Sequence, residues 1–159
     1  MGTRSIIAKE FKNGKIKAIY CHWDGYPTHN GKMLMEHYTT AAKINKLIDL
    51  GDISSLREEI GVKHPFDTYK LSDEEKAKYE NMTLAYHRDR EEEKCEARVV
   101  HNKNALIEVA KKCGGEYIYL RTKTGHWLAY GCYAGIPQAK TWVPVKVAVT
   151  HETLLAAAK

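Results

Sequence analysis

The sequence predicts an α+β domain: a mainly antiparallel sheet with helices packed on one face. Three observations carry that expectation. Asn13-Gly14 lies between two strand-like runs, an apolar stripe at three- and four-residue steps follows, and alternation returns late in the chain around Thr124-Gly125.

The first two runs are "RSIIAKEF" (4–11) and "KIKAIYCHW" (15–23). Asn-Gly suits the positive φ angles of a two-residue type I′ turn, so a hairpin is expected. In its second strand Ile16, Ala18, Tyr20 and His22 share one face, and Lys17, Ile19, Cys21 and Trp23 the other. Neither face is cleanly polar, which predicts cover on both sides for part of the hairpin. "DGYP" then ends the strand. From Lys32 to Leu50 the residues Leu34, His37 or Tyr38, Ala41, Ile44, Leu47 and Ile48 fall on one helical stripe. Thr39-Thr40 is weak helix material where this helix can break in two, and Gly51 stands where it should stop.

Gly61 and Pro65 punctuate an irregular middle. Ser72 with Glu75 is a capping-box pattern and opens the next helix. "MTLAYHRDR" (82–90) is expected to be extended, with "EEEK" a solvated charge run after it. A helix through "ALIEVAKKC" follows Asn102 or Asn104 and closes at Gly114-Gly115. "EYIYLRTKTGHWLAYG" (116–131) is expected to be a second hairpin, and "TWVPVKVAV" (141–149) an edge strand, since Pro144 cannot donate to a ladder. Residues 1–150 form a single α+β domain on this reading, with 151–159 a short C-terminal helix or a disordered tail.

At 159 residues the chain suits one core. No apolar run is long enough to cross a membrane, and no apolar leader precedes the first charges, so a cytoplasmic protein without membrane partners is expected. The four cysteines, Cys21, Cys95, Cys113 and Cys132, form no CxxC pair, which points to reduced thiols rather than a zinc ribbon. A net charge of +5 mildly favours anionic partners. P-loop, GxGxxG and GxSxG patterns are absent, so neither nucleotide hydrolysis nor dinucleotide use is supported, and no cofactor or metal is expected.

The chemistry concentrates in "YCHWDGYP", Tyr20–Pro27. Cys21 and His22 point to opposite strand faces and cannot form a thiolate–imidazolium pair. Trp23 and Tyr26 could stack on a planar ring while His22 and Asp24 bond its edge; the bland alternative is an aromatic anchor followed by a turn. The hairpin register brings Thr3, Arg4 and Ser5 opposite this loop. In "YHRDR", Arg88 and Arg90 would share a strand face with Tyr86 and could grip a phosphate, His87 and Asp89 facing the other way; ion pairing on the surface is the bland reading. Tyr117, Tyr119, Arg121, Trp127 and Tyr130 offer either a nucleic-acid platform or cross-strand packing.

"TRS" (3–5), "IYCHWDGYP" (19–27), "GDISSL" (51–56) and "YHRDR" (86–90) together resemble a family of small proteins encoded by tailed bacteriophages. The resemblance extends in order and length to about Trp127. The family's usual Tyr-Leu-Phe-Asp ending of the late strand is replaced here by "YIYLRTKTGHW", so its carboxylate is missing. The resemblance implies an accessory phage protein acting in the host cytoplasm, of a kind that counters host defence or redirects host machinery.

Taken together, a ligand site is expected at Arg4, Ser5, His22, Trp23, Asp24 and Tyr26, joined by His87, Arg88 and Arg90. It would hold a nucleotide, a nucleic-acid segment or a host protein without catalysis. The alternative from another class is a small metal-assisted hydrolase or nuclease using His22, Asp24, His87 and Asp89.

Overall fold

The computed structural model describes residues 2–133 and 135–158. Strands β1 (Ser5–Glu10) and β2 (Ile16–Cys21) form the expected hairpin, with Ser5 opposite Cys21 and Glu10 opposite Ile16. Its turn is wider than the expected type I′. The Phe11 amide donates to the Lys15 carbonyl at 2.8 Å and the Gly14 amide to the Phe11 carbonyl at 2.9 Å. Gly14 takes the left-handed conformation (φ 88°) while Asn13 does not, so one glycine rather than an Asn-Gly pair closes the loop.

A π-helical turn, Pro27–Gly31, runs directly into α1 (Lys32–His37), and α2 (Ala41–Asp49) follows. The break falls at the two threonines, and Thr40 caps α2 by accepting from the Lys43 amide at 3.3 Å. Gly51 ends this stretch with φ 75° and lies so close to the Cys95 carbonyl that a Cβ would come within 2.2 Å of it. After β3 (Ile53–Ser55) comes α3 (Asp73–Tyr79), opened by the Ser72–Glu75 capping box.

The next segment departs from expectation. Only Leu84–Ala85 is extended, as β4, and "YHRDR" is a short helix, α4 (Tyr86–Arg90). The Asp89 carboxylate folds back to accept from the Ala85 amide at 2.8 Å, which captures an orphan donor at the helix start and selects the turn over the strand. The remaining elements are β5 (Arg98–Val100), α5 (Lys103–Cys113), the hairpin β6 (Tyr117–Arg121) and β7 (Trp127–Gly131), β8 (Val143–Pro144) and α6 (Val145–Ala157). Helix α6 runs through position 150, where the sequence reading places its tail boundary; Lys159 lies outside the described residues.

The strands form one sheet in the order β4-β3-β2-β1-β6-β7-β8, with β5 also paired to β2. Pairing is antiparallel except between β1 and β6 and at the Cys21–Ile53 contact of β2 with β3. Pro144 sits in the terminal strand, where its missing amide costs no ladder bond, but the strand expected over 141–149 is only Val143–Pro144, and Val145–Val149 are the start of α6. Helices α1, α2 and α6 pack on one face around Ile7, Ile19, Tyr38, Leu47, Tyr119 and Val145. Helix α5 is the exception to the one-face arrangement: Leu106 and Ala110 cover the other face, against Ile6, Ala18, Ile118 and Leu120. Cover on both sides is what the mixed polarity of β2 requires.

Candidate functional site

The open end of the first hairpin holds the loop that follows β2. Three backbone links tie that loop down. The Gly25 amide donates to the Thr3 carbonyl at 2.8 Å, the Trp23 amide to the Ser54 carbonyl at 3.0 Å, and the Asn30 amide to the Asp24 carbonyl at 3.2 Å. Asp24 turns the chain with φ 56°, a left-handed conformation that Asp tolerates better than most residues. Gly25 is required by close approach: a Cβ there would lie 2.7 Å from both the Ser5 Cβ and the Thr3 carbonyl oxygen.

Beneath the loop Asn30 is fully buried and donates from Nδ2 to Ser5 Oγ (3.2 Å), Cys21 Sγ (3.3 Å) and the Trp23 carbonyl (3.4 Å). The buried Tyr119 hydroxyl donates to the Gly25 carbonyl from below. Ser5 therefore lies under the site, as a partner of Asn30, and does not line it. Cys21 is equally enclosed, and burial pushes its thiol up to about 11, which makes it inert as a nucleophile at neutral pH.

Above this floor the side chains sort by strand face. Arg4, Tyr20 and His22 belong to the α5 side. Tyr20 Oη lies 2.8 Å from His22 Nδ1, and Trp23 meets the His22 ring edge-on, with centroids 4.7 Å apart at 88°. Burial, then the Arg4 charge, hold the imidazole below its ordinary range. Burial raises the Tyr20 phenol, so Tyr20 stays protonated and hydrogen-bonds His22 Nδ1. Gly2 packs on the indole: a Cβ would come within 2.7 Å of Trp23 Cε3. The indole nonetheless remains 43% exposed. Arg4 is exposed, enters no ion pair among the described residues, and lies at the carbonyl end of α5, where an added Gly114 Cβ would be 2.9 Å from its Nη1. Asp24 and Tyr26 face away from this group. They bond each other at 3.4 Å, and burial followed by the Asp24 charge raises the Tyr26 phenol.

The "YHRDR" residues do not complete the wall expected of them. On a helix Arg88 and Arg90 diverge instead of sharing a face. Arg88 gives Nε and Nη2 to the Asp89 carboxylate (3.0 and 3.1 Å), Nη2 to the Thr83 carbonyl (2.7 Å), and Nη1 to the Ile60 and Gly61 carbonyls (2.8 and 3.3 Å). No donor is left for a phosphate. Asp89 is buried and also accepts from the His64 amide at 3.1 Å, so it is unavailable as a metal ligand. Arg90 pairs with Glu92 at 2.6 Å over the Phe66 ring, and His87 is exposed beside the Glu92 carbonyl. Among the described residues no group of three His, Cys, Asp or Glu side chains has metal-binding geometry, so the four residues of the hydrolase alternative are not brought into one cluster.

What does reach the site from this region is the start of α4. The Tyr86 amide donates to the Asp52 carbonyl at 3.3 Å, and the Asp52 carboxylate accepts from the Tyr20 amide (2.9 Å) and from Arg98 through both its terminal nitrogens (2.7 and 3.1 Å). This fork-on-fork pair buttresses the strand that carries Tyr20 and His22. Sequence reasoning missed Asp52, Arg98 and Asn30. Asp52 stands in "GDISSL" and Asn30 just beyond "YCHWDGYP", but Arg98 carries no local signal. The aromatic platform on the second hairpin is core packing instead: Tyr119 and Trp127 are buried, Tyr117 stacks on Tyr119 at 6.5 Å, and Tyr130 packs with Trp142 on the other face.

No family model matches the sequence, and no curated protein or solved structure matches it significantly. Function therefore rests on the site itself. No helix among the described residues is long and apolar enough to cross a membrane.

Proposed function

We propose that this chain is a non-catalytic binding protein whose ledge of Arg4, His22 and Trp23 holds a nucleotide or the end of a nucleic-acid strand. The observation that supports this most is Trp23: a large aromatic left 43% exposed on a loop anchored from below and set against His22, near which lies Arg4, a guanidinium in no ion pair among the described residues. A rigid exposed indole loses little entropy when a base stacks on it, and an unneutralised Arg beside it attracts phosphate. His22 contributes its imidazole edge to the rim. A reactive centre is not what this geometry favours, since the thiol is buried and Asp89 is fully bonded. The resemblance to phage proteins supplies the setting we infer: an accessory protein that counters host defence or redirects host machinery by sequestering such a ligand.

Titration of purified protein with mononucleotides and a short single-stranded oligonucleotide at low salt tests the reading. Saturable quenching of tryptophan emission, weakened by added salt and abolished in Trp23→Ala, is expected. Unchanged emission with every nucleotide and oligonucleotide would leave a host protein as the target and overturn the nucleotide assignment.

A further inference from the structure

The opposite end of the sheet carries a groove of about 560 Å³ with a different charge pattern. Its walls come from the tips of both hairpins and from α2: Lys9, Phe11, Lys12, Asn45, Arg121 and Lys123. Strands β1 and β6 run parallel here, and the register places Lys9 directly beside Arg121 on the α2 side of the sheet. Two cations in neighbouring register positions repel each other, and a sheet normally avoids the arrangement. Neither forms an ion pair among the described residues. Lys9 donates to Asn45 Oδ1 and lies 4.8 Å from the Phe11 ring centroid; Arg121 donates to the Thr39 carbonyl at 3.1 Å, just before α2 begins. All of these partners are neutral. Glu10, the one carboxylate in the groove's lining, is turned to the Lys123 backbone amide, from which it accepts at 3.1 Å, and pairs with neither cation. Burial, then Arg121, lower the Lys9 ammonium, and burial lowers Arg121, as befits positive charge held without a counter-charge.

We propose that this groove is a second anion site, taking the phosphate of a nucleotide-sized ligand between Lys9 and Arg121. Its volume is right for such a ligand, and the guanidinium is held in place by the Thr39 carbonyl. The site is independent of the Trp23 ledge. Arg4 and Lys9 project from opposite faces of the sheet, with about 17 Å of strand between them.

Amide NMR titrations with pyrophosphate and with adenosine 5′-diphosphate test it. Saturable shifts are expected at Lys9, Ala41, Arg121 and Lys123 with at least one probe. Affinity should fall about tenfold in Lys9→Gln and in Arg121→Gln. Lys9→Gln keeps a donor for Asn45 and remains informative if Arg121→Gln, which loses the Thr39 bond, folds poorly. Lys111→Gln, on the far side of the sheet, should titrate as wild type. Trp23→Ala should also leave this titration unchanged, which separates failure here from failure of the ledge. Absence of saturable shifts with both probes, equal affinities in Lys9→Gln and Lys111→Gln, or binding of a single-stranded oligonucleotide alone would each overturn the proposal.

Discussion

Tyr20–Pro27 and Tyr86–Arg90 look alike as sequence, each packing aromatic, imidazole and charged side chains into a few residues, yet the fold uses them oppositely. In the first, the buried bonds come from the backbone, Asn30 and Ser5, and the reactive-looking side chains His22 and Trp23 are left at the surface, with Arg4 from the start of the facing strand. In the second, the charged side chains are themselves the buried bonds: Arg88 and Asp89 hold together Ile60, Gly61, His64, Thr83 and Ala85. Charge density in a motif does not distinguish these cases. The number of carbonyls and amides already bonded to the charge does.

The contrast is sharpest for Arg88. Arg88→Met should cost about 3–5 kcal/mol, because Asp89 would be left buried without its counter-charge. Thermal or urea unfolding reads this, and a loss within the range of an ordinary surface substitution would erase the distinction between the two regions. Next in size is Asn30→Ala, expected to cost about 1–3 kcal/mol, since Ser5 Oγ and the Trp23 carbonyl would lose their donor. It should also loosen the ledge, which proteolysis of the loop or faster amide exchange at Gly25 would report.

Trp23→Ala marks the other side of the comparison. Stability should change by about 1 kcal/mol or less while nucleotide affinity is lost, the reverse of the pattern for Arg88→Met. The smallest effect concerns His22. Its folded-state titration lies below the ordinary value of 6.5, so the unfolded chain binds the proton first and His22 lowers stability as the pH falls through and below 6.5. Above that pH the contribution is absent. A ring-proton NMR titration should give a midpoint below 6.5 that rises in Arg4→Gln, since the Arg4 charge is part of the cause; a midpoint insensitive to Arg4 would separate the two residues electrostatically. A bound phosphate should also raise it, as it would favour the imidazolium.

The hairpin and the meeting of "TRS" with the loop after Trp23 were readable in the sequence because Asn13-Gly14 separates two strand-like runs of matched length; the register was not, since the wider loop pairs Ser5 with Cys21, one residue from where a two-residue turn would place it. The break at Thr39-Thr40, the capping box at Ser72 and the stop at Gly51 were readable for a similar reason: each depends on residues within one turn of a helix. The α4 helix was not. Its five residues are too few to show a periodicity, and its start depends on an Asp89 carboxylate that is also held by His64, 25 residues earlier in the chain. The Asp52–Arg98 pair spans 46 positions and leaves no local trace. Nor could composition show that Ser5 would be roofed over by Asn30, or that Lys9 and Arg121 would become neighbours, since β1 and β6 meet only through a parallel pairing across most of the chain.

The central claim is that the ledge, not the "YHRDR" helix, meets the ligand. One measurement addresses it most directly: nucleotide and oligonucleotide titration of wild type, Trp23→Ala and Arg90→Gln, side by side at low salt. Arg90 is exposed and its substitution should spare the fold. Loss of binding in Trp23→Ala with wild-type affinity in Arg90→Gln is the predicted result. Retained binding in Trp23→Ala with loss in Arg90→Gln would contradict the account and move the site to α4.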